Sequence, residues 1–391
     1  MLFFVAVLSV FFNGGCYLSL LRDKRIFIYI LFLFYIISYL LVFGLSNGAD
    51  ATYMAYNYSL VLFSFVCVLF IVVSYSQLYT FSLEGFFEYL INIGLVQLFF
   101  VAISIVSPDF RGWVLETSRV EDLSSISNEY GGLRSYGLAN GYTSTFPMLM
   151  GVYALIVITM ASRISAFNLR YYWLLFLSFL FIFSVIVNAR IGLVPVVVFF
   201  ILTALSMAFH GKSLISGGKL FLLSGFGLFI LMSAGLNLDK YMTRLMWGIE
   251  EIVSLIDGER TGTFQVLEEM FHFPTETMSF IFGTGLSVFG EQGNFPVSSD
   301  IGFVRDIYIF GALNTMLLLI VVFYLTGPLR KFLKINFGLI VVFSLFIALA
   351  AYYFKGAIWA SSEIYNLIVL LSVFSVYLKT ALVKYEKNSY N

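Results

Sequence analysis

The residues best suited to chemistry in this 391-residue chain are arginines. Arg134, Arg190, Arg260, Arg305 and, with a weaker case, Arg244 fall at the ends of apolar runs or in the polar segments between them. A guanidinium keeps its proton and presents a planar fork of donors. That fork matches the oxygens of a phosphate. Several such groups at the depth of lipid headgroups suit a lipid-borne pyrophosphate. The plainer account of each arginine is interfacial anchoring, or ion pairing with nearby acids. Arg190 and Arg305 lie on the side of the apolar runs where acids dominate, against the usual distribution of positive charge, and this favours a binding role for them. Asp300 precedes Arg305 by five residues, which on a helix turns the two about 140° apart, so they do not pair directly. Asp300 reads either as the N-cap of the apolar helix that follows or as a general base that takes a proton from a hydroxyl.

Two further stretches belong with these. Gly131-Gly132-Leu133-Arg134-Ser135-Tyr136-Gly137-Leu138-Ala139-Asn140-Gly141 puts glycines, an arginine and Asn140 just before an apolar run, a composition that can cradle an anion on backbone N–H groups. Ile281-Phe282-Gly283-Thr284-Gly285 reads as a turn whose glycines bring backbone close to a neighbour. Trp113, Tyr130, Tyr136 and Tyr142 suit an interfacial aromatic belt. Cys16 and Cys67 sit in apolar runs, and His210 and His272 lie far apart. Neither a disulfide framework nor a zinc pattern follows. Without a P-loop, a dinucleotide fingerprint or a Ser-His-Asp arrangement, no metal, no other cofactor and no direct use of ATP is expected.

The elements that must hold these residues are membrane spans. The chain is 60% hydrophobic and 11% charged, where soluble domains carry roughly 25% charge, and its mean hydropathy is +0.95. Runs of span length fall near residues 2–21, 26–46, 58–78, 88–107, 141–162, 171–189, 191–209, 220–237, 301–327, 335–353 and 364–382. They do not alternate, which argues against a β-barrel. The 39-residue run 171–209 has one charge, Arg190. Two helices with Arg190 at the turn, beside Gly192 and Pro195, avoid a charge at mid-bilayer. One set of connecting segments holds 13 basic and four acidic residues and the other 9 basic and 18 acidic, so the first set is placed in the cytoplasm. The amino terminus, lacking a positive leader region, reads as a retained first span. The formal net charge is zero, and no nucleic-acid partner is suggested.

One membrane domain, 1–391, is expected, with two sizeable outer loops at 107–140 and 238–300 and shorter ones at 47–57 and 355–363. In the large loop Met242, Leu245, Met246, Ile249, Ile252, Val253 and Ile256 recur at helical spacing, opposite Lys240, Arg244, Glu250 and Glu251. That pattern suits an amphipathic helix on the headgroup layer. A second short helix is expected over 264–273, stopped by Pro274. The large loop would lid a site floored by the outer ends of the spans beginning near 141, 171, 191 and 301.

In these residues the chain resembles the O-antigen polymerase (Wzy) family of bacterial inner membranes. The resemblance rests on Arg134-Ser-Tyr-Gly137-Leu-Ala-Asn140, on Ser184-Val-Ile-Val-Asn188-Ala-Arg190-Ile-Gly192, and on Arg260 upstream of Phe282-Gly283-Thr-Gly285. It includes Ser299-Asp300-Ile-Gly302-Phe-Val-Arg305 through Gly311. It covers 107–311 in order and spacing, and the span layout nearly throughout. The motifs are short and degenerate. An arginine followed by ten residues and a glycine, a family feature, is not met: the glycine positions hold Thr145 and Phe271. The resemblance implies an all-α polytopic membrane protein, GT-C-like, with about eleven transmembrane helices and a large periplasmic loop containing amphipathic helices. It implies a metal-independent glycosyltransferase that uses undecaprenyl-pyrophosphate-linked oligosaccharide on the periplasmic face. Arg190, Arg305 and Asp300 would be catalytic, and Arg134, Asn140, Arg260, Gly283 and Gly285 substrate-binding. Membrane lipids and, from the family alone, a chain-length regulator protein would be partners. Two alternatives stay open. An O-antigen ligase shares the layout, and His272 in the large loop suits it. A flippase or transporter of lipid-linked oligosaccharide is disfavoured by long outer loops and nearly uncharged span interiors.

Overall fold

The computed structural model describes residues 14–47, 49–78, 82–117, 145–164, 168–210, 268–286, 299–356, 358–359 and 362–389. In chain order the helices are α1 (Gly14–Leu21), α2 (Lys24–Asn47), α3 (Ala49–Leu78), α4 (Leu83–Val106), α5 (Pro108–Thr117), α6 (Thr145–Ser162) and α7 (Leu169–Asn188). A 3-10 turn (Arg190–Leu193) then leads into α8 (Val194–His210), α9 (Thr277–Phe282), α10 (Gly302–Leu325), α11 (Gly327–Phe337), α12 (Leu339–Lys355) and α13 (Glu363–Ser389). Among the described residues seven helices are long and apolar enough to cross a membrane (α2, α3, α4, α6, α7, α10 and α13), and α8 and α12 are shorter apolar helices. The protein is therefore a polytopic helical membrane protein. Helices are the expected form there, because backbone N–H and C=O groups in lipid must be satisfied within the segment.

The sequence-based segmentation needs four corrections. Residues 49–57, expected as part of a loop, are the first turns of α3. The helix expected over 264–273 is over by Glu269, and Phe271 to Pro274 are not helical. The span expected from 335 begins at Leu339, because Gly338 (φ 90°) breaks the chain, and α11 is a separate amphipathic helix. The span 301–327 is interrupted at Gly311 (φ 86°, ψ 163°). The expected span 220–237, most of the loops 107–140 and 238–300, and the helix over 242–256 lie outside the described residues.

The chain divides into two compact units. In the first (Met1–Gly85, Glu269–Asn336 and Tyr352–Asn391), α3 packs on α2 and α13, while α10 packs on α2 and receives α9. Its buried aromatic side chains include Tyr29, Tyr58, Phe65, Phe310, Tyr365 and Phe374. In the second (Phe86–Glu268 and Phe337–Ala351), α6 is enclosed: every residue from Phe146 to Ala161 is buried. A helix apolar on all faces has no outward side to give to water. Lipid is as apolar as the core, so close packing, not water exclusion, holds such helices together. Gly94 of α4 shows the tightness: a Cβ there would lie 2.7 Å from the ring of Phe181, which itself stacks on Tyr153 at 5.6 Å.

Candidate functional site

The entrance of α10, in the first unit, carries the densest set of polar and charged side chains the sequence pointed to. Helix α10 starts at Gly302 with Ile301 as its N-cap residue, which supplies no side-chain capping bond. Asp300 is therefore not the cap. The hydroxyl Oγ of Ser299, buried, accepts the N–H of Ile301 at 3.3 Å. Asp300 instead faces Lys355, the last residue of α12, with Nζ 3.8 Å from Oδ2 and both side chains about two-fifths exposed (38% and 40%). Gly302 is a glycine because the chain passes over the end of α12: a Cβ there would lie 2.2 Å from the Gly356 carbonyl oxygen.

Arg305 follows one turn into the helix, half-buried, with its N–H bonded to the Ile301 carbonyl at 3.0 Å. Asp306 and Asp300, its neighbours in sequence, and Tyr53 of α3 are among the groups whose charge or polarity favours its protonated form. Asp306 is 1% exposed and accepts a hydrogen bond from the hydroxyl of Tyr353 at 2.5 Å. Asp306 and Tyr353 were not among the residues singled out from the sequence. The signal was present for Asp306: an ionisable side chain inside an apolar run is by default a functional candidate. The expectation of nearly uncharged span interiors fails at this place.

Aromatic rings pack around the entrance. Phe303 meets Phe271 at 5.5 Å, Phe354 at 5.4 Å and Tyr353 at 6.2 Å between ring centroids. His272 Nδ1 lies 3.0 Å from the hydroxyl of Tyr308. Residues 271–273 are thus drawn onto α10 by ring packing, which explains why they leave the helix expected there.

Gly283 and Gly285 follow α9 and lie against the break in α10. A Cβ on Gly283 (φ 88°) would sit 2.7 Å from the Gly311 nitrogen, and one on Gly311 would sit 2.2 Å from the Ile281 carbonyl oxygen. The two backbones touch, and only glycine allows that approach. The break frees carbonyls that a continuous helix would use, and each finds a donor. Thr284 N–H and Oγ1 donate to the Tyr308 oxygen at 2.6 and 2.9 Å, and Gly285 N–H donates to the Ile309 oxygen at 3.2 Å. Asn314 Nδ2 donates to the Phe310 oxygen and Thr315 Oγ1 to the Gly311 oxygen, both at 2.8 Å. From α2, Tyr39 donates to the Phe282 oxygen at 2.5 Å and Tyr35 to Asn314 Oδ1 at 2.8 Å. What Gly283 and Gly285 approach is therefore protein backbone.

Arg190 belongs to the second unit. Helix α7 ends at Asn188, Ala189 is extended (φ −159°, ψ 131°), and Arg190 opens the 3-10 turn. This is the break between two helices that the 39-residue run demanded. Gly192 rests on α6, where a Cβ would lie 2.2 Å from the Pro147 carbonyl oxygen. Asn188 is buried, its Nδ2 donating to the Ser184 oxygen at 2.8 Å, while its Oδ1 and the Ser184 Oγ are buried and find no hydrogen-bond partner among the described residues. Arg134, Asn140, Arg260 and Arg244 lie outside the described residues.

The α10 entrance brings together a half-buried arginine, a carboxylate paired with Lys355 and a buried aspartate bonded to a tyrosine, beside aromatic rings. The chain matches no protein-family model, no curated protein and no solved structure.

Proposed function

We propose that this chain is an O-antigen polymerase, a metal-independent glycosyltransferase of the bacterial inner membrane that acts on the periplasmic face. A hydroxyl of the acceptor sugar attacks the anomeric carbon of an undecaprenyl-pyrophosphate-linked oligosaccharide. The bond from that carbon to the pyrophosphate oxygen breaks, and the hydroxyl proton passes to a carboxylate. Arg305 stabilises the charge that gathers on the leaving pyrophosphate, the electrostatic role that a preorganised cation serves best. Asp300 is the proton acceptor. Arg190 is assigned a like role at its own helix entrance. Arg134, Asn140 and Arg260 are assigned to substrate binding, and Gly283 and Gly285 serve by fixing the loop after α9. The observation that supports this reading is Arg305 itself: a half-buried guanidinium on the first turn of a span, five residues after Asp300.

A second reading, transport of a lipid-linked oligosaccharide across the membrane, draws support from Asp306, a carboxylate buried inside a span. Deleting the gene and running the cell's lipopolysaccharide on a gel separates the two. Loss of a polymerase leaves core bearing a single repeat unit, and loss of a transporter leaves bare core. Bare core together with polymer retained on the carrier lipid would mark a ligase. A wild-type ladder after deletion, with no second copy of the gene, overturns the polymerase reading. Arg305→Ala should abolish the ladder while the protein stays in the membrane. Arg305→Lys tests whether the fork, beyond the charge, is required.

A further inference from the structure

The far end of α10, roughly 30 Å along the helix from Arg305, carries a different set of cations. Residues 22–25 and helix α11 together hold Arg22, Lys24, Arg25, Arg330, Lys331 and Lys334 against one carboxylate, Asp23. Helix α11 is anchored by its buried Pro328, Leu329 and Leu333, which leaves Lys331, Lys334 and Ile335 outward. Two of the cations are held in place. The Arg330 guanidinium lies 3.5 Å over the ring of Phe323 and donates from Nη2 to the Phe323 carbonyl oxygen at 2.8 Å. Arg25 lies over the ring of Tyr324 at 5.6 Å, with Nη1 3.4 Å from Asp23 Oδ2.

These two guanidiniums converge on one open point. A Cβ built on Gly327 would meet Arg25 Nε at 3.8 Å and Arg330 Nη2 at 3.9 Å, the nearest atoms among the described residues beyond its own helix backbone and chain neighbours. Two like charges brought within about 8 Å of each other repel, and the arrangement is stabilised when an anion lies between them. Phe323 and Tyr324, the rings that carry these two guanidiniums, face outward (56% and 40% exposed), as does Ile335 (70%) about two turns further along α11. A phosphate next to an apolar chain is the chemistry of a phospholipid. The surplus of cations selects a headgroup with net negative charge over a zwitterionic one.

We propose that α11, with Arg25, is a binding site for an anionic phospholipid, the phosphate lying between Arg25 and Arg330 over Gly327 and the acyl chain against Phe323 and Ile335. This site stands apart from the proposed transferase chemistry, and its test does not depend on it. The full chain, purified in detergent, is titrated with phosphatidylglycerol, phosphatidylcholine or inorganic phosphate while its apparent Tm is followed. Phosphatidylglycerol should raise the Tm and saturate, and the other two should leave it unchanged. Arg25→Gln with Arg330→Gln should remove the rise. Arg330 also holds a carbonyl of α10, so a double variant that does not fold is set aside and the decision rests on Lys331→Gln with Lys334→Gln. That variant alters only outward side chains and should weaken phosphatidylglycerol binding about thirtyfold at low salt. Equal responses to phosphatidylglycerol and phosphatidylcholine, or an unchanged affinity in the lysine variant, would overturn the proposal. A response to inorganic phosphate equal to that of the lipid would do so too, by showing a site for a free anion.

Discussion

At 188–195 and at 299–311 the chain does similar things: an arginine stands at the start of a helical segment, close to a glycine whose missing side chain lets two backbones touch. The two places are finished differently. Around Gly311 every carbonyl from Tyr308 to Gly311 accepts a hydrogen bond from Thr284, Gly285, Asn314 or Thr315. Around Gly192 the seat is the apolar wall of α6, and the Ser184 hydroxyl and the Asn188 carbonyl oxygen are buried and find no hydrogen-bond partner among the described residues. The first place is closed by bonds that reach across the break from another element, while the second combines local bonds, such as Gly192 N–H to the Ala189 oxygen at 3.2 Å, with close packing on α6. Directional bonds set the orientation of side chains one turn away, so Arg305 stands on the more closely defined frame. Shape alone sets how near two helices come, and it tolerates changes in polar groups that make no bond.

The sharpest way to break this contrast is Gly311→Ala. The new Cβ would both demand a left-handed conformation and meet the Ile281 oxygen at 2.2 Å. Strain and overpacking each cost roughly 1–3 kcal/mol, so the variant should lose several kcal/mol, seen as a large drop in apparent Tm or in folded yield. A normal Tm would show that the break is not held as described. Gly192→Ala meets the Pro147 oxygen at the same distance but carries no left-handed penalty, and about 1–3 kcal/mol is expected from the clash alone. A loss matching that of Gly311→Ala would erase the distinction drawn here. Next comes Tyr353→Phe, which leaves the buried Asp306 oxygen without its donor and should cost about 1–3 kcal/mol in thermal melting. The smallest effect is Ser184→Ala. Its hydroxyl has no hydrogen-bond partner among the described residues, so removal should change stability by no more than about 0.5 kcal/mol, with a slight gain favoured. A loss above about 1 kcal/mol would reveal a bond that the second region is said to lack.

Seven of the expected spans, and two more as shorter apolar helices, were legible in the sequence because lipid imposes one rule on every residue in a run. Arg190 shows it well: one charge in 39 apolar residues forced a break, and the helices do stop at Asn188 and restart beyond Ala189. Arg305 and Asp300 were legible as an entrance for the same reason. The role of Asp300 was not, because its partner Lys355 lies 55 positions later and nothing local announces the pair. The break at Gly311 was hidden more deeply. A lone glycine in a span is ordinary, and its conformation is decided by Gly283, on another element. Helix α11 was half-visible: Arg330, Lys331 and Lys334 were read as a charged connection, while the run beginning at Ile335 was credited wholly to the next span. Amphipathic spacing over Leu329, Phe332 and Leu333 competes with hydropathy there, and Gly338 settles it for a separate helix.

Gly283 and Gly311 also exclude each other's variation. Each fills the place where the other's side chain would begin, so enlarging one cannot be offset by trimming the other: neither has anything left to trim. Their identities are tied as a pair, 28 positions apart. A distant chain that keeps this helix contact must keep both glycines, even where hydropathy alone survives elsewhere. The pair is thus a signature by which descent from a common ancestor could be traced after most of the sequence has drifted.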